Sequence, residues 1–291
     1  DNTREKTRGF IFREKETWPA MLRFLESMQF MLFVFFTAAY AYQIVYLFVG
    51  LIGKGRGGRE NAKLHRYAAV VAARNESAVI ANLIRTLKEQ NYPSELLDIY
   101  VIADNCTDNT AQISRQAGAY VYERFNKVQV GKGYALEYLF HHIFEDKGET
   151  AYDGFFVFDA DNIVDRDFVR EMNKMFDTGE YTALTSYRNS QNFCANWISA
   201  GYALWFLRES RFLNRPRTQL GVNCAVSGTG FLVSAQAVRE DAGWPYHLLT
   251  EDIEFSIACA TRGRRIGYCG KAVIYDEQPE KFKQSWDQRL R

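Results

Sequence analysis

Residues 27–53 contain no charged side chain, and this stretch constrains the fold of the chain more than any other feature. It is rich in Phe, Tyr, Leu and Val. About 20 consecutive apolar residues cross a bilayer core as a helix, so the stretch is long enough. A buried core helix and a signal peptide are the alternatives, but a signal peptide has a shorter apolar region and a small-residue cleavage site. The sequence therefore predicts a transmembrane helix over residues 27–53.

The segments on either side of this helix have different predicted roles. Residues 1–26 are predicted to be an amphipathic, interfacial segment, in which Thr17 caps a short helix and Pro19 takes its first position. Residues 54–66 form a basic linker, and the glycines between residues 53 and 58 predict that it is flexible. Basic residues after the helix favour a cytoplasmic exit, but basic residues also precede it, so charge counting leaves the orientation open. Residues 67–291 remain as one folded domain.

The composition fits a folded domain and argues against some partners and sites. Apolar residues make up 47% and charged residues 24% of the chain, which suits a globular core. The formal net charge is +1, so no strong field favours nucleic acid as a partner. The five cysteines are scattered and form no CxxC pair. This pattern argues against a disulfide framework or a zinc site and fits a reducing compartment.

Apolar runs and helical patterns alternate along residues 67–291. The apolar runs predict strands at residues 67–73, 97–103, 119–122 and 154–158. The helical patterns predict helices at residues 77–89, 109–117, 133–142 and 253–261. This alternation predicts an α/β fold with a mainly parallel sheet and helices on both faces.

Polar residues follow several predicted strands at the point where each strand ends. Asn75 and Glu76 follow the first strand, Asp104 follows the second, and Asp159 and Asp161 follow the fourth. Ligands of parallel sheets bind at the carboxyl ends of the strands. A single aspartate after a strand is usually a cap or a turn residue, but together these residues predict one polar rim.

The pair Asp159 and Asp161 is suited to a hard divalent cation. Mg²⁺ prefers one or two carboxylates together with substrate phosphate oxygens, and Mn²⁺ has similar oxygen preferences. A nucleoside-diphosphate substrate supplies such oxygens. The structural alternative is that Asp161 and Asn162 cap a helix that starts near Asp165. The two roles are compatible, and the sequence leaves both open.

Two glycine-containing loops are candidate substrate contacts. Lys132 lies between two glycines in residues 127–133, where backbone and ammonium can approach a phosphate, although the pattern is not a P-loop. A solvated turn is the alternative for this loop. In residues 226–231, the small residues Gly228, Thr229 and Gly230 allow a bulky acceptor to lie against the backbone.

Acidic residues open the predicted helix at residues 253–261. Thr250 suits the N-cap, and Glu251 and Asp252 in the first turn suit the helix dipole. The functional alternative makes Asp252 a general base. The dipole lowers the pKa of such a carboxylate, so a partly desolvated setting is required for work near neutral pH.

The last residues of the chain are polar and basic. Arginine binds phosphate oxygens in pairs through its planar fork, so this end suits a diphosphate. An exposed helix end is the alternative. The candidate diphosphate contacts are Gln288, Arg289 and Arg291.

In order and spacing, these motifs resemble those of inverting family 2 glycosyltransferases of the GT-A fold, which is Rossmann-like. That group includes the membrane-bound synthases of cellulose, chitin, hyaluronan and poly-N-acetylglucosamine. The motifs are ARNE (residues 73–76), ADNCTDNT (103–110), GKG (131–133), DAD (159–161), TED (250–252) and QRLR (288–291). They extend over nearly all of the chain after residue 66.

The resemblance implies a role for each motif. The residues implied to hold the uracil and ribose of a UDP-sugar are Ala73, Asn75, Glu76 and Asp104, with Lys132 near the nucleotide. In the DxD motif, Asp159 contacts the nucleotide-sugar and Asp161 the metal, Mg²⁺ or Mn²⁺. In the TED motif, Asp252 is the catalytic base and Glu251 stands beside it. The residues implied to contact diphosphate and acceptor are Gln288, Arg289 and Arg291.

The sequence departs from the family pattern at two points. The first aspartate of the common DDGSTD pattern is Ala103 here, which leaves Asp104 alone. The chain stops at Arg291, where a tryptophan that stacks on the acceptor sugar is expected. The family also has further membrane helices beyond this point. We therefore expect a truncated chain, or a split protein that works with further membrane subunits.

The expected activity is transfer of a sugar from a UDP-sugar to a glycan hydroxyl with inversion, which forms a β-linkage in polysaccharide synthesis. The donor is cytoplasmic, so the resemblance places the catalytic domain on the cytoplasmic side of the cell membrane. The alternatives are single transfer of a sugar to a lipid carrier and a non-catalytic protein that binds nucleotide-sugars. A dehydrogenase is disfavoured because no GxGxxG follows the first strand. Candidates for stacking on sugar rings, or for core packing, are Trp197, Trp205 and Trp244.

Overall fold

The computed structural model describes the backbone of residues 2–53 and 55–290, and the side chains of Pro19 and of residues 21–53, 55–286 and 290. The chain divides into two units, residues 1–48 and residues 49–291. The first unit holds helix α1 (Asn2–Tyr40) and the start of helix α2 (Tyr42–Ile52). The second unit holds all of the strands described below.

Helix α1 begins earlier than the sequence predicted. It runs from Asn2 through Pro19 without a break, so no separate helix starts at Pro19. Proline removes one hydrogen bond of a helix, and strong helix formers on both sides of Pro19 favour its continuation. The segment Met21–Ile52 is long and apolar enough to cross a membrane, and 0% of its most apolar window is buried. A buried core helix of this chain therefore does not explain it.

The second unit is built on an eight-stranded sheet with the order β3-β2-β1-β4-β7-β6-β8-β5. The strands are β1 (Tyr67–Ala73), β2 (Leu97–Asp104), β3 (Tyr120–Arg124), β4 (Gly154–Asp159), β5 (Ile163–Val164), β6 (Ala183–Ser190), β7 (Phe231–Ser234) and β8 (Ile266–Asp276). Strands β3, β2, β1 and β4 are parallel to one another, and β6 is parallel to β8. The pairs β4–β7, β6–β7 and β5–β8 are antiparallel.

Helices cover both faces of this sheet, as the sequence predicted. They are α3 (Ile80–Lys88), α4 (Thr110–Gln116), α5 (Lys132–Lys147), α6 (Phe168–Phe176), α7 (Trp197–Glu209), α8 (Arg215–Leu220), α9 (Ala235–Glu240), α10 (Glu251–Thr261) and α11 (Phe282–Arg289). One core cluster contains Leu83 and Phe168, and the other contains Leu136 and Phe255. Strands buried on both faces read as continuous apolar runs, which is why β1 and β4 were visible in the sequence.

The register of the parallel strands aligns the ends that carry the polar residues. Ala73 of β1 pairs with Ala103 of β2, and Ala72 of β1 pairs with Asp159 of β4. The exits of β2, β1 and β4 therefore lie side by side at one edge of the sheet. Adjacent strands are about 4.8 Å apart, so strands β2 and β4, which carry Asp104 and Asp159, are roughly 10 Å apart.

The glycine-containing linker is fixed to the domain, contrary to the prediction that it is flexible. The guanidinium of Arg215 donates to the carbonyl oxygen of Gly53. Arg56 pairs with Glu180 at 2.8 Å. A Cβ built on Gly58 lies 2.2 Å from the backbone of Lys174, so only glycine fits there. Gly58 thus permits the close approach of this linker to the domain.

Candidate functional site

The ammonium of Lys132 lies at the centre of the candidate site. Its Nζ donates to Asp159 Oδ1 at 2.5 Å and to the carbonyl oxygen of Gly228 at 2.6 Å. The same Nζ lies 3.7 Å from Glu251 Oε1. One side chain at the start of α5 therefore joins the exit of β4, the loop before β7 and the start of α10.

The glycines that flank Lys132 explain how the chain places it there. Gly131 has a φ of 143°, a backbone conformation that residues other than glycine rarely adopt. A Cβ built on Gly133 lies 1.9 Å from the carbonyl oxygen of Tyr246, so the start of α5 can approach that loop only with glycine. The GKG pattern is therefore a close-packed helix start, which excludes a solvated turn.

The carboxylate of Asp252 lies against the same loop. Gly228 has a φ of 73°, and a Cβ built on it lies 3.4 Å from Asp252 Oδ2. Asp252 Oδ1 accepts from the backbone N–H of Ile253 at 2.9 Å. Thr250 precedes α10 at the N-cap position, but its side chain makes no capping hydrogen bond. The start of α10 thus presents Asp252 to the Gly228 loop.

The charges of this cluster depend on one another. Burial alone lowers the pKa of the Lys132 ammonium. The carboxylates of Asp159, Glu251 and Asp252 outweigh burial, so this pKa is raised above its usual value. Burial raises the pKa of Glu251, Asp252 and Asp159 raise it further, and Lys132 opposes the rise. The lysine stays charged and is shared among the acids.

Asp161 lies in a second, strongly acidic part of the rim. Burial raises its pKa to about 7, and the carboxylates of Asp276, Asp159 and Glu76 add to the rise. The pKa of Glu76 is raised by burial and then by Asp108 and Asp159. Like charges crowded in this way favour a bound cation or a retained proton.

The donor set at Asp159 and Asp161 fits a divalent cation that a substrate completes. Among the side chains that the structure describes, no cluster of three or more His, Cys, Asp or Glu residues forms a ready-made metal site. Mg²⁺ commonly uses one or two carboxylates and takes its other ligands from water and substrate phosphates. Asp159 Oδ1 is bound by Lys132, whereas Asp161 lies among other acids.

A buried network lies beneath the DxD motif. Asp276 is 3% exposed, and its Oδ2 accepts from Arg188 Nε and from Gln278 Nε2, both at 2.9 Å. Its Oδ1 accepts from Asn162 Nδ2 at 3.2 Å. The hydroxyl of Thr229 donates to Asn162 Oδ1 and accepts from the backbone N–H of Asp159 at 2.8 Å. This network fixes the turn between Asp159 and Asn162.

The network corrects one sequence expectation. Asp161 and Asn162 cap no helix, because β5 follows them and α6 begins only at Phe168, with Asp167 at its N-cap. Sequence reasoning also missed Arg188 and Asp276, which lie on β6 and β8. No local signal marks these residues, because Asp276 lies more than a hundred positions from the motif it supports.

The loop predicted to meet the acceptor is only partly accessible. Thr229 and Gly230 are buried, and the hydroxyl of Thr229 is used within the network below the DxD motif. Gly228 is half-buried and borders the carboxylate of Asp252. Of the three predicted acceptor residues, Gly228 is therefore the one that remains available to a substrate.

The loops that follow β1 and β2 are hydrogen-bonded to each other. Asn75 has a φ of 58°, and its Oδ1 accepts from the backbone N–H of Thr107 at 2.8 Å. The backbone N–H of Glu76 donates to Thr110 Oγ1 at 2.9 Å. Ala73, at the end of β1, is buried. These contacts place the predicted donor-binding loops beside each other.

Asp104 has a partner of its own. Its Oδ1 accepts from Arg124 Nη1 at 2.7 Å, and the two side chains are 7% and 5% exposed. Arg124 Nη2 also donates to the carbonyl oxygen of Gln129 at 2.8 Å. Asp104 therefore lies on the same sheet edge as Asp159 but outside the Lys132 cluster.

The remaining predicted contacts divide into three groups. Trp244 is 1% exposed and packs against Phe140 and Phe255, so it belongs to the core and cannot stack on a sugar. Trp197 and Trp205 on α7 are 75% and 58% exposed. The predicted diphosphate contacts whose side chains lie outside the described residues are Gln288, Arg289 and Arg291.

Comparison with known proteins gives a consistent result. Residues 65–291 match the family described as "Glycosyltransferase like family 2". The chain is 26% identical over 227 residues to a β-monoglucosyldiacylglycerol synthase of Synechocystis sp., covering 76% of this chain and 46% of the relative. It is 27% identical over 229 residues to a poly-β-1,6-N-acetyl-D-glucosamine synthase of Staphylococcus aureus, covering 76% of this chain and 52% of the relative. The chain spans about half the length of the curated relatives it matches.

Solved structures share the fold at low sequence identity. A mannosyltransferase from Pyrobaculum calidifontis, in complex with GDP-Man and Mn²⁺, superposes with a TM-score of 0.66 at 17% identity, over 89% of this chain and 71% of that chain. Residues 1–349 of S. aureus TarS, in complex with UDP-GlcNAc, superpose with a TM-score of 0.53 at 18% identity, over 76% and 60%. These neighbours confirm the expected GT-A fold.

Proposed function

The chain belongs to glycosyltransferase family 2, and we propose that it transfers a sugar from a UDP-sugar to a glycan hydroxyl with inversion, as a step of polysaccharide synthesis. The observation that carries the proposal is the position of Lys132. Its ammonium bridges Asp159 of the DxD motif and the Gly228 loop against which Asp252 lies. The residues expected to contact the donor and the expected base therefore lie on either side of one lysine.

The proposed roles follow from what each group can do. Asp252 accepts the proton of the acceptor hydroxyl, since its Oδ2 lies against the Gly228 loop, to which Lys132 is also hydrogen-bonded. The acceptor oxygen attacks the anomeric carbon from the side opposite UDP, so the configuration inverts. Lys132 offers positive charge to the departing diphosphate, which stabilises the charge that develops there.

A divalent cation, Mg²⁺ or Mn²⁺, is the proposed cofactor. Asp161 would hold it, with Asp159 contacting the nucleotide-sugar, and the cation would supply charge neutralisation at the diphosphate. Two observations support the assignment: carboxylates crowd around Asp161, and a neighbour of the same fold carries Mn²⁺. Glu76 and the loops after β1 and β2 are proposed to hold the nucleotide, because they lie on the same sheet edge.

The segment Met21–Ile52 is proposed to anchor the enzyme in the cell membrane. Its length and composition are those of a membrane-spanning helix, and its side chains between residues 21 and 40 are exposed. UDP-sugars are made in the cytoplasm, so the proposal places residues 67–291 on that side.

Transfer of a single sugar to a lipid is the second candidate function. One relative is a β-monoglucosyldiacylglycerol synthase. In addition, a cavity of 750 Å³ between α7 and α11 has mainly apolar walls that include Trp197, Trp205 and Trp286. Such walls suit the apolar part of a lipid acceptor as well as the face of a sugar ring.

A panel of radiolabelled UDP-sugars tests both candidates. The full-length protein in membranes is incubated with each donor, with and without Mn²⁺, and the product is sized and extracted with organic solvent. A β-linked polymer supports polysaccharide synthesis, whereas an extractable lipid product with one sugar supports the second candidate. Binding of UDP-sugar without any transfer leaves the non-catalytic alternative and overturns both.

A further inference from the structure

A basic cavity lies beside the linker, apart from the candidate active site. Its volume is 440 Å³, within the range of ligand pockets. The basic side chains that line it are Arg56, Arg211, Arg215 and Lys271. None of the described residues that line it is acidic. This excess of positive charge suits an anion.

Nearby carboxylates compensate only part of this charge. Arg56 pairs with Glu180 at 2.8 Å, and Lys271 lies 4.0 Å from Glu171. In the part of the chain whose side chains are described, no carboxylate forms an ion pair with Arg211 or Arg215. Two guanidinium groups that line the cavity thus have no negative partner among the side chains described.

Arg215 also leaves a buried donor unused. Its Nη2 donates to the carbonyl oxygen of Gly53, but its Nε is buried and has no hydrogen-bond partner among the described residues. The Nε lies 3.9 Å from a Cβ built on Gly55, and Gly55 itself lines the cavity. Buried donors in proteins are nearly always paired, so an unpaired one at a cavity wall points to a missing ligand.

We propose that this cavity binds a phosphate group, carried by a lipid head group or by a small soluble molecule. Guanidinium groups bind phosphate oxygens in pairs, which suits two arginines on neighbouring helical turns. Leu207 and Tyr187 supply an apolar and aromatic part of the wall. A phosphate on an apolar carrier can contact the basic part and the apolar part of the wall together.

The position of the cavity adds a reason to test lipids. Gly53, which Arg215 holds, directly follows Ile52, the last residue of the candidate membrane span. A phosphate group bound next to the end of a membrane span is a feature of lipid head groups. This last step depends on the proposed membrane anchor, whereas phosphate binding itself depends on neither that anchor nor the transferase activity.

Titration calorimetry on the full chain in a neutral detergent tests the proposal. The probes are inorganic phosphate, dihexanoylphosphatidylglycerol, and sodium chloride at matched ionic strength. The variant is Arg211→Gln/Lys271→Gln, because both side chains are exposed and neither holds the linker, unlike Arg215. The charge-matched control is Arg115→Gln/Lys88→Gln, on α4 and α3.

We expect the variant to bind at least one phosphate probe roughly tenfold more weakly, as the loss of a charge-assisted hydrogen bond implies, and the control to bind normally. Equal affinity for the two probes identifies the phosphate group alone as the ligand. Binding of the lipid alone identifies a head-group site. The proposal is overturned if the native chain binds neither probe, or if the variant binds as the native chain does. The midpoint of thermal unfolding, measured in the same samples, should be unchanged and reports that the fold is intact.

Discussion

Asp104 after β2 and Asp159 after β4 both follow parallel strands at one edge of the sheet, yet their surroundings differ. The Asp104 side chain is 7% exposed, and its partner Arg124 is also buried. The Asp159 side chain is 39% exposed, and its partner Lys132 is shared with Gly228 and Glu251. One aspartate is enclosed by a dedicated cation, and the other is held by a cation with several partners.

The difference shows that one polar rim can contain both a fixed ion pair and a lysine with exchangeable partners. Arginine is always charged and binds in a fixed planar geometry, so the Asp104–Arg124 pair fixes the loop after β2. A lysine ammonium is compact and carries rotatable donors, so Lys132 can leave Asp159 for a phosphate. Position after a strand is therefore a weak guide to role, and the partner of each aspartate is a better one.

The largest expected effect is on the rate of transfer, and it tests whether Asp252 is the general base or only a first-turn acid of α10. We expect Asp252→Asn to lower the rate of transfer by roughly 10²–10⁴-fold, the usual contribution of general-base catalysis. UDP affinity should stay the same, because the proposed nucleotide contacts lie on other elements. Initial rates with the identified donor, together with calorimetry for UDP, give both values.

The matched control is Glu254→Gln in the same helix turn. Glu254 accepts from the backbone N–H of Leu248 instead of facing Gly228. It should retain most of the activity. Full activity in Asp252→Asn would remove Asp252 as the base and leave it only as a first-turn acid of α10.

The second prediction concerns the enclosed pair. Arg124→Gln leaves the buried Asp104 carboxylate without its cation, so we expect the free energy of unfolding to fall by about 3–5 kcal/mol. Denaturant titration in detergent measures this loss. The double variant Asp104→Leu/Arg124→Met should recover most of it, because an apolar pair carries no unpaired charge. A double variant as unstable as Arg124→Gln would show that Arg124 acts through its bond to Gln129 instead.

The different surroundings of Asp104 and Asp159 could not be predicted from the sequence, although the strands that precede them could. Strands β1, β2 and β4 were predicted correctly because burial on both faces leaves a local apolar run. The residues at their exits could also be placed on one edge, since parallel strands end together. The partner of Asp104 could not be predicted, because Arg124 lies on a different strand and carries no motif.

The second half of the sheet was harder to predict for the same physical reason. Residues 163–249 contain short elements, such as β5 and β7, whose antiparallel pairings depend on distant strands. The Arg188–Asp276 pair beneath the DxD motif forms only when β6 and β8 align. Sequence patterns report burial and periodicity, whereas these contacts depend on the three-dimensional arrangement of the strands.

The third prediction compares Asp161 with Asp104 by the effect of Mn²⁺ on UDP binding. We expect Asp161→Ala to weaken UDP binding roughly tenfold to hundredfold in the presence of Mn²⁺ and to have little effect without it. Asp104→Asn should weaken UDP binding equally with and without Mn²⁺, because Asp104 lies outside the acidic group around Asp161. Calorimetry under the two conditions distinguishes these patterns. A metal-independent loss in Asp161→Ala would contradict its role as a metal ligand.

The smallest expected effect is a pH dependence of stability that originates at Asp161. Burial raises the pKa of this carboxyl to about 7 in the folded chain, whereas an unfolded aspartate has a pKa of about 3.9. Between these values, the folded chain holds a proton that the unfolded chain has released. Stability therefore falls as the pH rises from about 4 to about 7, and the difference is then constant.

Thermal unfolding in a metal chelator measures this dependence in the native chain and in Asp161→Asn. The asparagine carries no charge at any pH, so the variant should lack this part of the decline and should gain stability relative to the native chain as the pH rises. The side chain is not fully buried, and solvent reduces the size of the effect. Parallel pH curves for the two proteins would mean that Asp161 is not crowded by its acidic neighbours, and the distinction from the enclosed Asp104 would then rest on Lys132 alone.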